Sequence, residues 1–146
     1  MSRIIFSPVP RGQYDVLRLA LDAASLPTED LMEPDRAFFL LSDDAGPIGF
    51  IGVEGSGTDR LLRSLVVLPS RRGKGHGGLL VAHAEAFARQ DGTERLHLLT
   101  TTIEAFFRSR GYFREDRTTA PDAISSTAQF ASLCPATAAY LVKELS

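Results

Sequence analysis

The chain has 146 residues, a net charge of −2, 44% hydrophobic and 23% charged residues, enough for one domain with a real core. Charges of both signs are interspersed, with no basic patch beyond Arg71, Arg72 and Lys74, so nucleic acid is not an expected partner. No apolar run is long enough to span a bilayer. The N-terminus lacks the apolar core of a secretion signal.

The single cysteine, Cys134, cannot form an internal disulfide, which fits a reducing cytoplasm. The histidines and Cys134 are too far apart to form a metal-site pattern, so no metal is expected.

Taken in order, Arg3 to Phe6 is a short β-rich run stopped by Pro8. Gly12 to Ala24 carries Leu17, Leu21 and Ala24 at helical spacing. Leu26 to Leu31 reads as a second helix start, with Glu29 and Asp30 in its first turn. Ala37–Ser42 and Ile48–Glu54 flank the turn Asp43-Asp44-Ala45-Gly46-Pro47, a β-hairpin. Asp59 leads into a central strand, Leu61 to Leu68, ended by Pro69. Leu79 to Phe87 is an amphipathic helix, stopped by Asp91-Gly92.

Arg95 to Leu99 is another strand. Thr101-x-x-Glu104 has capping-box spacing before a short helix, Ile103 to Arg110, closed by Gly111. Tyr112 starts a further strand. Thr118 to Ser126 reads as a loop with a helical turn that Pro121 would open, and Ala138 to Val142 is a last strand. No linker interrupts the chain. The expected architecture is a single α+β domain over residues 1–146, with a mixed sheet and flanking helices.

The strand and helix around Pro69 are joined by Pro69-Ser70-Arg71-Arg72-Gly73-Lys74-Gly75-His76-Gly77-Gly78. Glycines at a helix start are costly unless the backbone must approach something closely. The first helical N–H groups lack internal partners and carry partial positive charge, so an anion, most simply a pyrophosphate, is the expected ligand. A Walker A loop fails, because Lys74 is followed by Gly75 and not by the hydroxyl that magnesium needs. Gly73-x-Gly75-x-x-Gly78 matches the dinucleotide fingerprint, but four residues separate it from its strand.

The third pattern, Arg72-x-x-Gly75-x-Gly77 preceded by Leu65-x-Val67, resembles the acetyl-CoA loop of the GCN5-related N-acetyltransferases (GNAT). The order of elements is similar to that family over nearly the whole chain. The resemblance implies a GNAT-like, mostly antiparallel central sheet and acetyl-CoA as co-substrate. It implies that Arg72, Gly73, Lys74, Gly75, His76, Gly77 and Gly78 hold the pyrophosphate. Leu65, Val66 and Val67 would lie along the pantetheine, with the Leu65 amide facing the thioester oxygen. Leu61–Val67, Leu98–Thr102, Glu104–Phe107 and Phe130–Pro135 are similar, more narrowly, to the N-acetyltransferases of bacterial arsenic-resistance operons. The implied reaction is acetylation of a small-molecule amine, with an amino-acid-like arsenical or phosphinothricin-type molecule as a candidate substrate, by direct attack in a ternary complex. The alternative is a CoA-binding regulatory protein without catalysis. Neither nucleic acid nor membrane is an expected partner, and a homodimer is an open alternative.

Many members of the family place a tyrosine acid where this chain has Phe107, so the usual acid is missing. Glu54 and Glu104 are the candidate bases; the plainer readings are a helix cap for Glu104 and a solvated strand end for Glu54. Arg63 stands two positions before Leu65, on the same face if strand alternation is unbroken. Buried there it needs a carboxylate. Either an internal residue supplies it, or Arg63 clamps an anionic group of the substrate.

Overall fold

The computed structural model describes residues 3–145. Its elements run β1 (Ile5–Pro8), α1 (Tyr14–Ala23), β2 (Arg36–Asp43), β3 (Gly46–Glu54), β4 (Asp59–Val67), α2 (His76–Gln90), β5 (Arg95–Thr100), α3 (Glu104–Arg108), β6 (Phe113–Arg114), α4 (Asp122–Ser125) and β7 (Ala139–Glu144). The seven strands form one sheet in the order β1-β2-β3-β4-β5-β7-β6. Only the β4–β5 pair is parallel. The expected mixed, mostly antiparallel sheet with helices on both faces is therefore present.

Alternation along each strand sorts the core into two layers. Leu62, Leu96, Leu98 and Leu141 point to the α2 face, where Leu80, Val81 and Ala84 of α2 and Phe107 of α3 cover them. On the other face, Leu17 and Leu21 of α1 pack on Phe38, Phe50 and Val66. Ile124 of α4 packs there on Leu61 and Tyr140.

The β4–β5 pairing is short. It runs through Asp59↔Arg95, Arg60↔Leu96 and Leu61↔His97 and then stops. A polar chain pins this closed end. Arg95 Nε donates to Asp59 at 2.8 Å, His97 Nε2 donates to the same carboxylate at 2.7 Å, and the Tyr140 hydroxyl donates to His97 Nδ1 at 2.7 Å. The Arg95 bond, helped by His97, holds the Asp59 carboxyl at about 2 against its burial. Burial pushes the His97 imidazole below its ordinary 6.5. Both folded values lie below the unfolded ones. The stability they contribute is complete above about pH 6.5 and is lost as pH falls, first through His97 and then from 3.8 towards 2 through Asp59. A thermal midpoint that declines over both windows is the expected result. Asp59→Asn should flatten the lower one, and a midpoint flat from about pH 7 to 3 would contradict the assignment.

Four local expectations are corrected. The second helix at residues 26–31 does not form: residues 26–28 are irregular and 29–32 form a turn. Asp30 is drawn inward to arginines on β2 and β4, and Leu31 is buried under α1, which a surface helix would not allow. The Thr101–Glu104 capping box is not made. The Ile103 N–H is accepted by Thr100 instead, at 3.2 Å, while Glu104 faces Arg108 and Arg114. Pro121 is the N-cap of α4, one position before its first turn. β1 includes Pro8, an edge position where the missing N–H costs no ladder bond.

Candidate active site

Beyond Leu61 and His97, β4 and β5 diverge. The gap between them is a cleft of about 580 Å³ that passes through the sheet. On the α2 face its walls include Leu65, Val67, Arg72 and Phe107. On the α4 face they include Gln129, Leu133 and Cys134.

The β4 wall is shaped by a bulge. Phe50 and Gly52 on β3 face Val66 and Arg63 on β4, so Ser64 and Leu65 together oppose Ile51. Ser64 sits at φ +60°, a left-handed conformation that a non-glycine residue adopts at a cost of about 1–3 kcal/mol. The bulge breaks the alternation that would have put Arg63 beside Leu65 and Val67. Leu65 and Val67 turn towards the α2 face, while Arg63 packs over the Phe38 ring on the other. Val66 buries its side chain under α1 and also lines the cleft. The Leu68 N–H donates to Ile48 on β3 at 2.9 Å, so the alternate main-chain groups of Val67 and Leu65 face the gap. Arg72 Nε confirms this direction by donating to the Val67 carbonyl at 3.0 Å.

Arg63 is fully buried, and its guanidinium is engaged inside the protein. Nη1 and Nη2 donate to the two Asp30 oxygens at 2.6 and 2.7 Å, Nη1 also to Glu54 at 2.8 Å, and Nε to Ser64 Oγ at 3.1 Å. Arg36 completes the group, 2.8 Å from Asp30 and 3.4 Å from Glu54. Burial would raise the Asp30 carboxyl, but the Arg63 and Arg36 bonds outweigh it and hold it at about 2. The two arginines and two carboxylates balance, so the cluster presents no surplus charge to a ligand. Glu54 is buried, ion-paired, and does not line the cleft. Glu54 is thus a buried partner of Arg63 and not a solvated strand end, and Arg63 takes the first of its two expected alternatives, an internal carboxylate. Gly52 makes the arrangement possible, since a Cβ there would lie 2.7 Å from the Phe38 ring.

Gly73 and Gly75 have φ of +83° and +79°, which gives the glycines at those positions a backbone reason. Gly75 caps α2, no side chain caps it, and no acidic residue lies in the first turn. The leading N–H groups of His76, Gly77 and Gly78 are thus left for an outside acceptor. A Cβ on Gly77 would lie 3.9 Å from Val67, so this helix end adjoins the α2 side of the cleft. Gly78 has a structural reason instead: Arg110 crosses it, stacked on the Phe106 ring at 3.9 Å. Arg71 turns away to pair with Asp43.

No phenol replaces the tyrosine missing at Phe107. The nearby Tyr112 hydroxyl donates to buried Glu85 at 2.9 Å, and burial pushes its ionisation far above the ordinary 10. Burial also pushes the Cys134 thiol up, so it stays protonated.

Three residues escaped the reading of the sequence. Asp30 was legible as an acid but not as the partner of a residue 33 positions away. Ser64 carries no mark of its φ. Gln129 opens a π-helical turn, Gln129–Leu133, for which the sequence has no sign.

Residues 34–113, more than half of the chain, match the acetyltransferase (GNAT) domain family. The chain belongs to that family. A curated relative, the amino-acid acetyltransferase of Ralstonia nicotianae, is 46% identical over 48 residues, covering 33% of this chain and 11% of that protein. The N-acetylglutamate synthase of Neisseria gonorrhoeae, solved with coenzyme A and N-acetyl-glutamate, superposes with a TM-score of 0.81 at 19% identity over 99% of this chain and 35% of that one. Tetrahymena GCN5 gives a TM-score of 0.74 at 12% identity, over 97% of this chain and 96% of that one. The chain therefore spans only a minor part of the amino-acid acetyltransferases it matches. Among the described residues no helix is long and apolar enough to cross a membrane.

Proposed function

We propose that the chain is an acetyl-CoA-dependent N-acetyltransferase acting on the amine of a small molecule by direct attack in a ternary complex. The observation that carries this reading is the gap between β4 and β5 leading to the uncapped start of α2. Acetyl-CoA would supply an activated acyl group. The residues present fit it. The free amides of His76, Gly77 and Gly78, with Arg72 and Lys74 beside them, suit the pyrophosphate. The gap-facing N–H groups of Leu65 and Val67 suit the thioester oxygen and the pantetheine.

In the transfer, the neutral amine nitrogen bonds to the acetyl carbon as the carbon–sulfur bond breaks. The amine's proton leaves through water. Glu29, at the mouth, is the carboxylate among the cleft-lining residues and is the acceptor for it. The thiol of CoA, with an ordinary value of roughly 8.5, departs without a side-chain acid, which accords with Phe107 and with an engaged Tyr112. The family resemblance and the amino-acid acetyltransferase relatives support an amine carried by an amino-acid-like molecule. The narrower resemblance to arsenic-operon enzymes supports including phosphinothricin among the candidates. We read residues 1–146 as one domain working in a reducing cytoplasm.

Two measurements test the reading. Calorimetric titration with acetyl-CoA and NADH side by side should show binding of the first alone. Thiol release should then be seen with glutamate or phosphinothricin. Binding of NADH in preference would return the glycine run to a dinucleotide. Tight acetyl-CoA binding without thiol release on any amine would favour the regulatory alternative.

A further inference from the structure

Gln129 is 6% exposed and lines the α4 side of the cleft. Its Nε2 is buried and has no hydrogen-bond partner. Its Oε1 accepts from the Cys134 thiol at 3.2 Å, and the Cys134 N–H donates to the Gln129 carbonyl at 3.0 Å. A protonated thiol is a donor, so it selects the oxygen end of the amide and leaves the NH2 end open. A buried amide N–H without an acceptor is costly, and protein interiors rarely leave one so. The π-helical turn that starts at Gln129 is itself uncommon, and such turns concentrate at functional sites.

Among the described residues the buried side-chain donors without a partner are Arg36 Nε, Arg60 Nε and Gln129 Nε2, and of these Gln129 alone lines the cleft. Arg63 is closed off by Asp30, Glu54 and Ser64. The unmet donor of the acceptor-side wall therefore belongs to Gln129.

We propose that the Gln129 side-chain amide donates a hydrogen bond to an oxygen of the amine substrate, a carboxylate or carbonyl oxygen close to the amine. This rests on the acetyltransferase reading and deepens it by assigning the group that distinguishes an amino-acid-like amine from a plain one. A neutral amide serves both kinds of oxygen, and the choice of probes separates them. Loss of such a donor leaves the substrate oxygen facing an apolar wall, and discrimination by unpaired polar groups is large.

The test compares kcat/KM of the native enzyme, Gln129→Met and Gln129→Glu on L-glutamate, L-alaninamide and butylamine. Calorimetric affinity for acetyl-CoA and the thermal midpoint are measured alongside. Gln129→Met has similar length and no donor, and should lower kcat/KM at least about tenfold on the oxygen-bearing amine that the native enzyme prefers. Butylamine should change less than about threefold. Gln129→Glu keeps an acceptor for the thiol, and should harm glutamate more than alaninamide if the oxygen is a carboxylate. Equal losses on all three amines, no loss on any, or native turnover of neither oxygen-bearing amine would overturn the inference. No loss on any amine would show that the amide is met by a buried water only. Acetyl-CoA binding unchanged in all three proteins would leave the acetyltransferase reading standing whichever way the amine panel falls. Its loss in the native enzyme would sink that reading first.

Discussion

Replacing Arg63 by alanine is expected to lower the thermal midpoint by about 10 °C or more. The substitution would leave Asp30 and Glu54 buried with Arg36 alone, and would open a void beside Phe38. Breaking a buried ion pair by removing one partner costs about 3–5 kcal/mol, because the remaining charge is uncompensated. For a domain of this size each kcal/mol corresponds to about 3–4 °C. Arg63→Lys would keep the charge but lose the fork that grips both Asp30 oxygens, and should sit between the two. Removing Asp30 as well should recover part of the loss, since the two are directly coupled. The experiment also judges the substrate-clamp reading of Arg63. A midpoint within about 2 °C of the native value, with KM raised only for anionic amines, would show that the guanidinium is held for a ligand.

Gly77→Glu is expected to weaken acetyl-CoA binding at least about tenfold, roughly 1.4 kcal/mol, without loss of stability. The two halves of that expectation have separate causes. The site has room: an added Cβ meets the Phe106 ring at 3.4 Å and Val67 at 3.9 Å, ordinary contacts. A glutamate in the first turn of α2 complements the helix dipole and removes a flexible glycine, so the free protein should be as stable as the native one or slightly more. The same carboxylate would occupy the place proposed for a diphosphate and repel it. Calorimetry with acetyl-CoA, paired with a melting curve, reads both effects. Unchanged affinity in the folded variant would remove the start of α2 from the site. A Gly78 substitution is a poorer probe, because Arg110 lies 2.6 Å from the added atom and must move whether or not a ligand binds there.

What the chain's own order of residues determined were the features with short-range causes. The hairpin follows from a turn cluster between two apolar runs, and β2 and β3 pair across it with one register shift at Leu41/Ser42. The α2 helix follows from its apolar period and from the glycines before it. The closing of α3 follows from Gly111, which takes φ +92°. These were enough to recognise the family, because its loop lies within one strand–turn–helix unit.

Three decisions belonged to tertiary structure alone. The bulge at Ser64 shifts Arg63 to the face opposite Leu65, and a serine at positive φ has no counterpart in composition or spacing. The capture of Asp30 by Arg63 and Arg36 outweighed a local helix signal: a buried charge must find its opposite wherever the fold brings one, and acidic residues in a first turn are worth only about 0.3–1 kcal/mol. The cleft is the absence of pairing between two parallel strands, and it places Gln129, Cys134 and Leu65 in one wall system although they are distant in the chain. No local pattern encodes a gap. It exists because the polar chain of Asp59, Arg95, His97 and Tyr140 holds one end of the β4–β5 pair shut while the bulge turns the other end away.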